Sequence, residues 1–284
     1  MKYANKQRDE WFGRLLIVPS LIGVSIFVLI PFADVMRRSF TEVLSNQLVG
    51  VDNYKNVLSS GSFVLAAKNT GRFLLICIPL LLLSSLILSL ILNSIQRLRE
   101  FFKSVLLLPM VIPTASIVLL WRILFHQEGL INKVFDIFSI PSINFLDSSR
   151  AFGVLVFTYL WKNIGYDMVL WIAGLNQIPQ ELYEAGAIDG ACWIRIIWYI
   201  TLPQLKPTIF TVTVLSLINS FKVFREAYLI GGDYPQESVY MLQNVFNNWF
   251  TALDIQKLCA AAVLLAIIIV GFILVLQRVT KEKE

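Results

Sequence analysis

The sequence predicts an all-α, polytopic membrane protein of six helical spans, and three observations predict it. Apolar residues make up 57% of the 284 positions and charged residues only 15%, with a mean hydropathy of +0.70, so the chain carries more apolar surface than a water-soluble core can enclose. That surface is gathered into runs of about 20 residues, the length a helix needs to cross about 30 Å of hydrocarbon. The Lys and Arg behind the net charge of +5 flank those runs in short patches and form no stripe interleaved with aromatics. The basicity therefore reads as membrane orientation and not as a nucleic-acid face.

Span one, 15–33, follows Lys2, Lys6, Arg8 and Arg14. Its apolar run outlasts a signal-peptide core and has no small-residue cleavage site, so it is expected to be a retained span after a cytoplasmic tail, 1–14. Span two is 73–92. Span three, 104–125, contains Pro109 and Pro113, each of which removes a backbone hydrogen bond and kinks the helix. Span four is 151–175, span five 208–230 and span six 258–276, leaving a tail of 277–284. The transmembrane domain is thus 15–276, interrupted by a more polar loop, 176–206.

Lys2, Lys6, Arg8 and Arg14, then Arg97, Arg99 and Lys103, then Arg278, Lys281 and Lys283 fall on one side of an even-numbered bundle. The cytoplasmic side retains such residues, which places both termini and the loop 176–206 in the cytoplasm. Arg37, Arg38, Lys55 and Lys68 argue the other way, but their loop is long and counts for less. Cys77 and Cys259 lie in or beside apolar runs and Cys192 in the polar loop, with no CxxC spacing. Neither a disulfide framework nor a metal site is expected.

The polar loop holds the densest local signals. Pro179 suits a helix start, since its missing N–H needs no partner there, and Gln180, Glu181 and Glu184 suit the positive end of the macrodipole. Asp189-Gly190 supplies a turn, and a second helical pattern runs through Trp193, Ile194, Ile197 and Ile200 to Pro203. Ala185, Gly186, Ala187, Gly190 and Ala191 have almost no bulk, so another backbone can approach this corner closely. Physics alone leaves two readings open: a docking element, or an amphipathic loop lying on the bilayer.

Glu184-Ala185-Gly186, three residues, Gly190, nine residues and Ile200-Thr201-Leu202-Pro203 resemble the EAA loop of ATP-binding-cassette importer permeases. "GVDNYKNVL", "FFKSVLLLPMVIPTASIVLLWRILF", "YLWKNIGYDMVLWIAGLNQIP" and "FKVF" followed by "GGDYP" extend the resemblance to the carbohydrate-uptake branch, and to its first permease subunit. Two positions depart from the pattern. Gly186 stands where the motif usually has Ala, at a cost of up to about 1 kcal/mol in helix propensity. Gly231-Gly232-Asp233-Tyr234-Pro235 replaces the usual Thr and glycine run of an outward loop.

The resemblance implies a fold of the type I ABC importer permease kind, whose coupling helix seats in a cleft of an ATPase subunit. Glu184, Ala185, Gly186, Asp189, Gly190, Ile200, Leu202 and Pro203 then form the ATPase-coupling set. It further implies a second homologous permease subunit, two ABC ATPase subunits, an extracytoplasmic solute-binding protein and a sugar or oligosaccharide as substrate, all at a bacterial inner membrane. No Gly-Lys pair occurs anywhere, hence no phosphate-binding Walker loop. ATP and Mg are expected on the partner subunits, with no cofactor or metal in this chain and no enzymatic centre. His126, at the outer end of span three, has no acidic neighbours arranged for catalysis and is expected to be an interfacial histidine.

Span four is the candidate substrate element. At about 100° per residue, Lys162, Tyr166, Tyr159, Asn163 and Asp167 fall in that order around an arc of roughly 140°. Such residues inside a span normally face protein or a water-filled cavity. Sugars suit that face, because hydroxyls need donors and acceptors and pyranose C–H faces stack on aromatic rings. In span five, Thr213, Ser216 and Ser220 share a face with Asn219 at its edge, while Lys222 and Arg225 point elsewhere, nearer the outer surface. The resemblance places Met110, Thr114, Tyr159, Lys162, Asn163, Tyr166, Ser216, Asn219 and Ser220 at substrate-contacting positions. Two alternatives stay open: these groups also bind helix to helix in membranes, and Lys162 with Asp167 also reads as a buried pair that only holds the bundle together. As an ion relay, that pair would make the protein an ion-coupled secondary transporter, although no related halves with broken helices are evident.

Overall fold

Helices follow one another through a computed structural model that describes residues 16–42, 47–95, 99–146, 148–231 and 235–281; a single isolated β-bridge, Thr41 to Leu48, interrupts them among the described residues. In chain order they are α1 (Leu16–Ser39), α2 (Asp52–Ser59), α3 (Gly61–Ser94), α4 (Arg99–Val111), α5 (Thr114–Phe125), α6 (Leu130–Ile137) and α7 (Ala151–Leu175). There follow α8 (Gln180–Ile188), α9 (Trp193–Ile196), α10 (Lys206–Ser220), α11 (Phe224–Gly231), α12 (Leu242–Thr251) and α13 (Ile255–Lys281). Lys2, Lys6, Arg8, Arg14, Arg97, Gly232, Asp233, Tyr234 and Lys283, used above for orientation or motif, lie outside the described residues.

The helices α1, α3 and α13 and the run Lys206–Tyr228 are long and apolar enough to cross a membrane. A fifth crossing is present if the bent pair Arg99–Val111 and Thr114–Ile137 is one span. Predicted span four corresponds to α7, whose 25 residues reach about 37 Å at 1.5 Å per residue, ample for a crossing. Its Lys162, Asn163 and Asp167 dilute its apolar character, and its position explains why it tolerates them. It packs against α3, α4 and α10, with Leu155, Tyr159, Asp167, Met168, Trp171 and Ile172 all buried. A helix walled by protein does not have to match lipid.

Predicted span three is corrected in its geometry. Pro109 sits inside α4 without ending it, as Pro79 does in α3, and the chain breaks at Ile112-Pro113, where the two arms meet at 91°. Pro113 is extended (φ −56°, ψ 135°), as is usual for a residue entering a helix. Within a membrane, a turn of backbone of this kind is tolerated only against protein or a cavity.

Two compact units divide the chain. In the first, residues 1–60 with 248–270, Asp34 pairs with Arg37 at 3.0 Å and Arg38 at 2.6 Å. There Asn53 Nδ2 donates to the carbonyls of Ser39 and Thr41. The second unit, residues 61–247 with 271–284, holds the core. Phe73, Leu81, Leu155 and Tyr159 form one cluster, and Trp171, Leu175, Leu205 and Val212 another. Trp171 Nε1 donates to Ser85 Oγ at 3.0 Å, satisfying both buried polar groups. Gly165 lets α7 touch α4 backbone to backbone: a Cβ there would lie 2.0 Å from the Leu106 carbonyl oxygen.

Candidate functional site

Two places in the second unit concentrate groups that the fold leaves incomplete. The first is the corner at 179–204. Pro179 caps α8, which ends at Ile188 in a backbone-closed turn: Ala191 N–H donates to Gly186 O at 2.9 Å and Gly190 N–H to Ala187 O at 3.1 Å. Gly190 takes φ +71°, the left-handed conformation such a cap requires and that only Gly adopts freely. The chain then continues through α9, a wide helical turn at Ile197–Thr201 and Leu202–Gln204 into α10. The expected helix, Asp-Gly corner and second helix are all present.

Gly186 is the buried member of the corner. A Cβ on it would meet Ile200 Cδ1 at 2.9 Å, so the Gly that departs from the motif lets α8 seat directly on the returning helix. Tyr183 OH and Thr201 Oγ1, 3.4 Å apart, join the same two arms. Ile200 and Leu202 are half-buried in the seat and Pro203 is exposed. Glu184, Ala185, Asp189 and Gly190 are exposed, with Glu184 Oε1 accepting from Gln180 Nε2 at 2.9 Å. Around them stand large apolar side chains open to the surroundings: Ile188 (86% exposed), Trp193, Ile194, Trp198 and Tyr199.

The second place is a cavity of about 360 Å³ beside the Pro113 break. Six residues expected at a substrate site, Met110, Thr114, Tyr159, Lys162, Asn163 and Asn219, line it. Ser216, Ser220 and Tyr166 are not among its lining residues. Ser216 is buried behind it, its Oγ donating to Asp167 Oδ2 at 2.6 Å, and Ser220 Oγ donates to the Leu217 carbonyl. Tyr166 is half-buried on α7. Tyr159 reaches the cavity wall but is itself buried, its hydroxyl donating to the Ser216 carbonyl at 2.8 Å. Asn163 Nδ2 donates back to the Tyr159 carbonyl at 2.8 Å, which leaves its side-chain oxygen as the acceptor it offers the cavity.

The charge arrangement differs from the expected one. Lys162 pairs with Glu226 of α11, Nζ to Oε1 at 2.5 Å, and also donates to Thr114 Oγ1 at 3.3 Å. Asp167 belongs to the separate Ser216 network, and the postulated Lys162–Asp167 pair is not formed. Lys222 and Arg225, expected to point elsewhere, line the cavity together with Glu226. The reason is the 3₁₀ turn Phe221–Val223 between α10 and α11, which resets the helical phase after Ser220. Glu226 was absent from the expected set altogether. Its signal was the lone Lys162 inside a span, which needs an acidic partner from another element.

His126 lies just after α5, its Nδ1 accepting from Glu128 N–H at 3.3 Å, and its carbonyl accepts from the buried Asn132.

Residues 81–281 match the family described as binding-protein-dependent transport system inner membrane component. The chain is 29% identical to the trehalose/maltose transport system permease protein MalF of Thermococcus litoralis, over 98% of this chain and 97% of that protein. It is 30% identical to the sn-glycerol-3-phosphate transport system permease protein UgpA of Escherichia coli, over 97% of this chain and 96% of that one. Among solved structures, a chain of a bacterial ABC transporter involved in the import of the acidic polysaccharide alginate superposes with a TM-score of 0.84 at 20% identity. That superposition covers 100% of this chain and 99% of the other, and shows a shared fold.

Proposed function

The chain belongs to the family of binding-protein-dependent transport system inner membrane components and is a transmembrane permease subunit of an ABC importer; on that premise we propose that it moves a sugar or sugar-like polyol through the α7 cavity into the cytoplasm. The observation that carries this reading is the convergence of Met110, Thr114, Tyr159, Lys162, Asn163 and Asn219 on one cavity beside the Pro113 break. Its walls mix a carboxylate, two amines, a guanidinium and two amides with aromatic and aliphatic surface, the mixture that a polyhydroxylated ligand needs. The names of the relatives, a trehalose/maltose permease and a glycerol-3-phosphate permease, support the same substrate class.

In the proposed mechanism this chain pairs with a second, homologous permease, and two ATPase subunits hold the ATP and Mg. An extracytoplasmic binding protein delivers substrate. Both termini and the corner 179–204 face the cytoplasm, where Glu184, Ala185, Asp189, Gly190 and the neighbouring Ile188 enter a cleft of one ATPase. Closure of the ATPases on ATP draws the paired corners together and opens the cavity outward; hydrolysis reverses it. The link within this chain is α7, which carries Tyr159, Lys162 and Asn163 and runs straight into the loop that bears α8. From Asn163 to its last residue, Leu175, is about 18 Å of continuous helix. The chain supplies no ATPase chemistry of its own.

The test is uptake of labelled maltose and glycerol 3-phosphate by proteoliposomes holding the assembled importer. Accumulation is expected to require enclosed ATP and to be indifferent to a proton gradient. Accumulation driven by the gradient without ATP would favour an ion-coupled carrier. In the same vesicles, replacing Tyr159 and Asn163 with Ala is expected to raise the transport constant; an unchanged constant for every sugar removes those residues from the substrate site.

A further inference from the structure

Resting on the importer reading, we propose that the cavity selects an anionic polyol, a molecule that presents a carboxylate or phosphate together with free hydroxyls. Three cations, Lys162, Lys222 and Arg225, line the cavity against one carboxylate, Glu226. Lys162 is neutralised by Glu226 Oε1. Lys222 is held by a neutral group, Asn219 Oδ1 at 2.7 Å, and among the described residues neither it nor Arg225 has an acidic partner. Lys222 and Arg225 are both exposed, so the cavity wall presents two positive charges in surplus whose donors are open to an entering molecule. An entering anion supplies the missing compensation, and the planar Arg225 guanidinium is suited to grip a carboxylate or phosphate with two parallel hydrogen bonds.

A second observation points to the other half of the ligand. Glu226 is 3% exposed, and while Oε1 is engaged, Oε2 is buried with no hydrogen-bond partner. An acceptor left so in a site lined by polar groups calls for a donor from outside the chain, and a hydroxyl supplies it without introducing a second cation. A neutral sugar answers Glu226 but leaves Lys222 and Arg225 uncompensated. A simple inorganic anion does the reverse. Only a molecule with both groups completes the cavity.

The experiment titrates the importer, assembled with its partner subunits in nanodiscs but without the solute-binding protein, so that the transmembrane site alone is read. The probes are digalacturonate, glycerol 3-phosphate and maltose. At least one anion is expected to bind about tenfold more tightly than maltose and to weaken about tenfold when Lys222→Gln and Arg225→Gln are combined. Binding is expected to persist when Lys222→Arg is combined with Arg225→Lys, which keeps both charges and shows that the fold tolerates change there. Response to digalacturonate alone assigns a carboxylate, response to glycerol 3-phosphate alone a phosphate, and either supports the proposal. Maltose binding as tightly as both anions, anion binding indifferent to the Gln pair, or no binding by any probe overturns it. ATP-driven uptake of a neutral sugar, measured separately, would leave the importer reading standing in each of those cases.

Discussion

The cavity and the corner are opposites in how they break the usual rules of burial. In the cavity, charged and polar groups sit inside the bundle: Glu226 is buried and Lys162 nearly so, with one carboxylate oxygen unpartnered. At the corner, large apolar groups are open to the surroundings: Ile188, Trp193, Ile194, Trp198 and Tyr199. Each arrangement is costly for an isolated chain, the first through desolvation and the second through exposed apolar area. Both costs fall when another molecule covers the site, and on the function proposed above these are a small polar molecule in the cavity and a protein at the corner. The difference lies in the kind of group each place leaves unmatched, polar in the cavity and apolar at the corner, and α7 lies between the two.

The sharpest way to break that comparison is Gly190→Leu at the corner. No atom lies within 4 Å of a Cβ placed there, so the substitution costs the chain only the left-handed backbone strain, about 1–2 kcal/mol, while pushing a bulky side chain out from the tip. Transport is expected to be abolished with membrane insertion intact. Co-purification of the ATPase at full stoichiometry, with substrate-stimulated hydrolysis preserved, would show that the tip is no docking element. In the cavity, Lys162→Met leaves Glu226 as an uncompensated buried carboxylate and is expected to lower stability by about 3–5 kcal/mol, read from the unfolding midpoint. Adding Glu226→Gln is expected to restore most of that loss, which isolates the pair from general packing.

Smaller effects sharpen the contrast. Tyr159→Phe removes one buried hydrogen bond to the Ser216 carbonyl and is expected to cost about 1 kcal/mol of stability. A larger change in substrate binding than in stability would mean that the hydroxyl turns to the ligand during transport. Gly186→Ala is the mildest. The gain in helix propensity, up to about 1 kcal/mol, opposes the displacement of Ile200 Cδ1, and stability is expected to move by less than about 1 kcal/mol either way. Transport by this variant, measured beside its thermal midpoint, reports whether the corner tolerates loosening of its seat.

The corner was legible in the sequence because its determinants are local: a Pro that starts a helix, an Asp-Gly pair that ends one, and a nine-residue return to Ile200. The apolar runs were legible for the same reason. The cavity was legible only in part. Thr114, Tyr159, Lys162, Asn163 and Asn219 came from helical phase and resemblance, but Lys222, Arg225 and Glu226 follow a 3₁₀ turn that breaks the phase on which such extrapolation depends. Pro79 and Pro109 lie within helices while Pro113 marks a right-angled break, and no local feature separates the three.

The contact between Gly186 and Ile200 governs stiffness. Were the two arms of the corner held apart by a side chain, a push on the tip would be spent in closing the gap between them. Seated backbone against side chain, they leave no such gap, so on the proposed coupling role a push at Gly190 would reach the helices on either side without first closing one. On that role, one missing methyl group would set how much of a surface event reaches the bundle's interior.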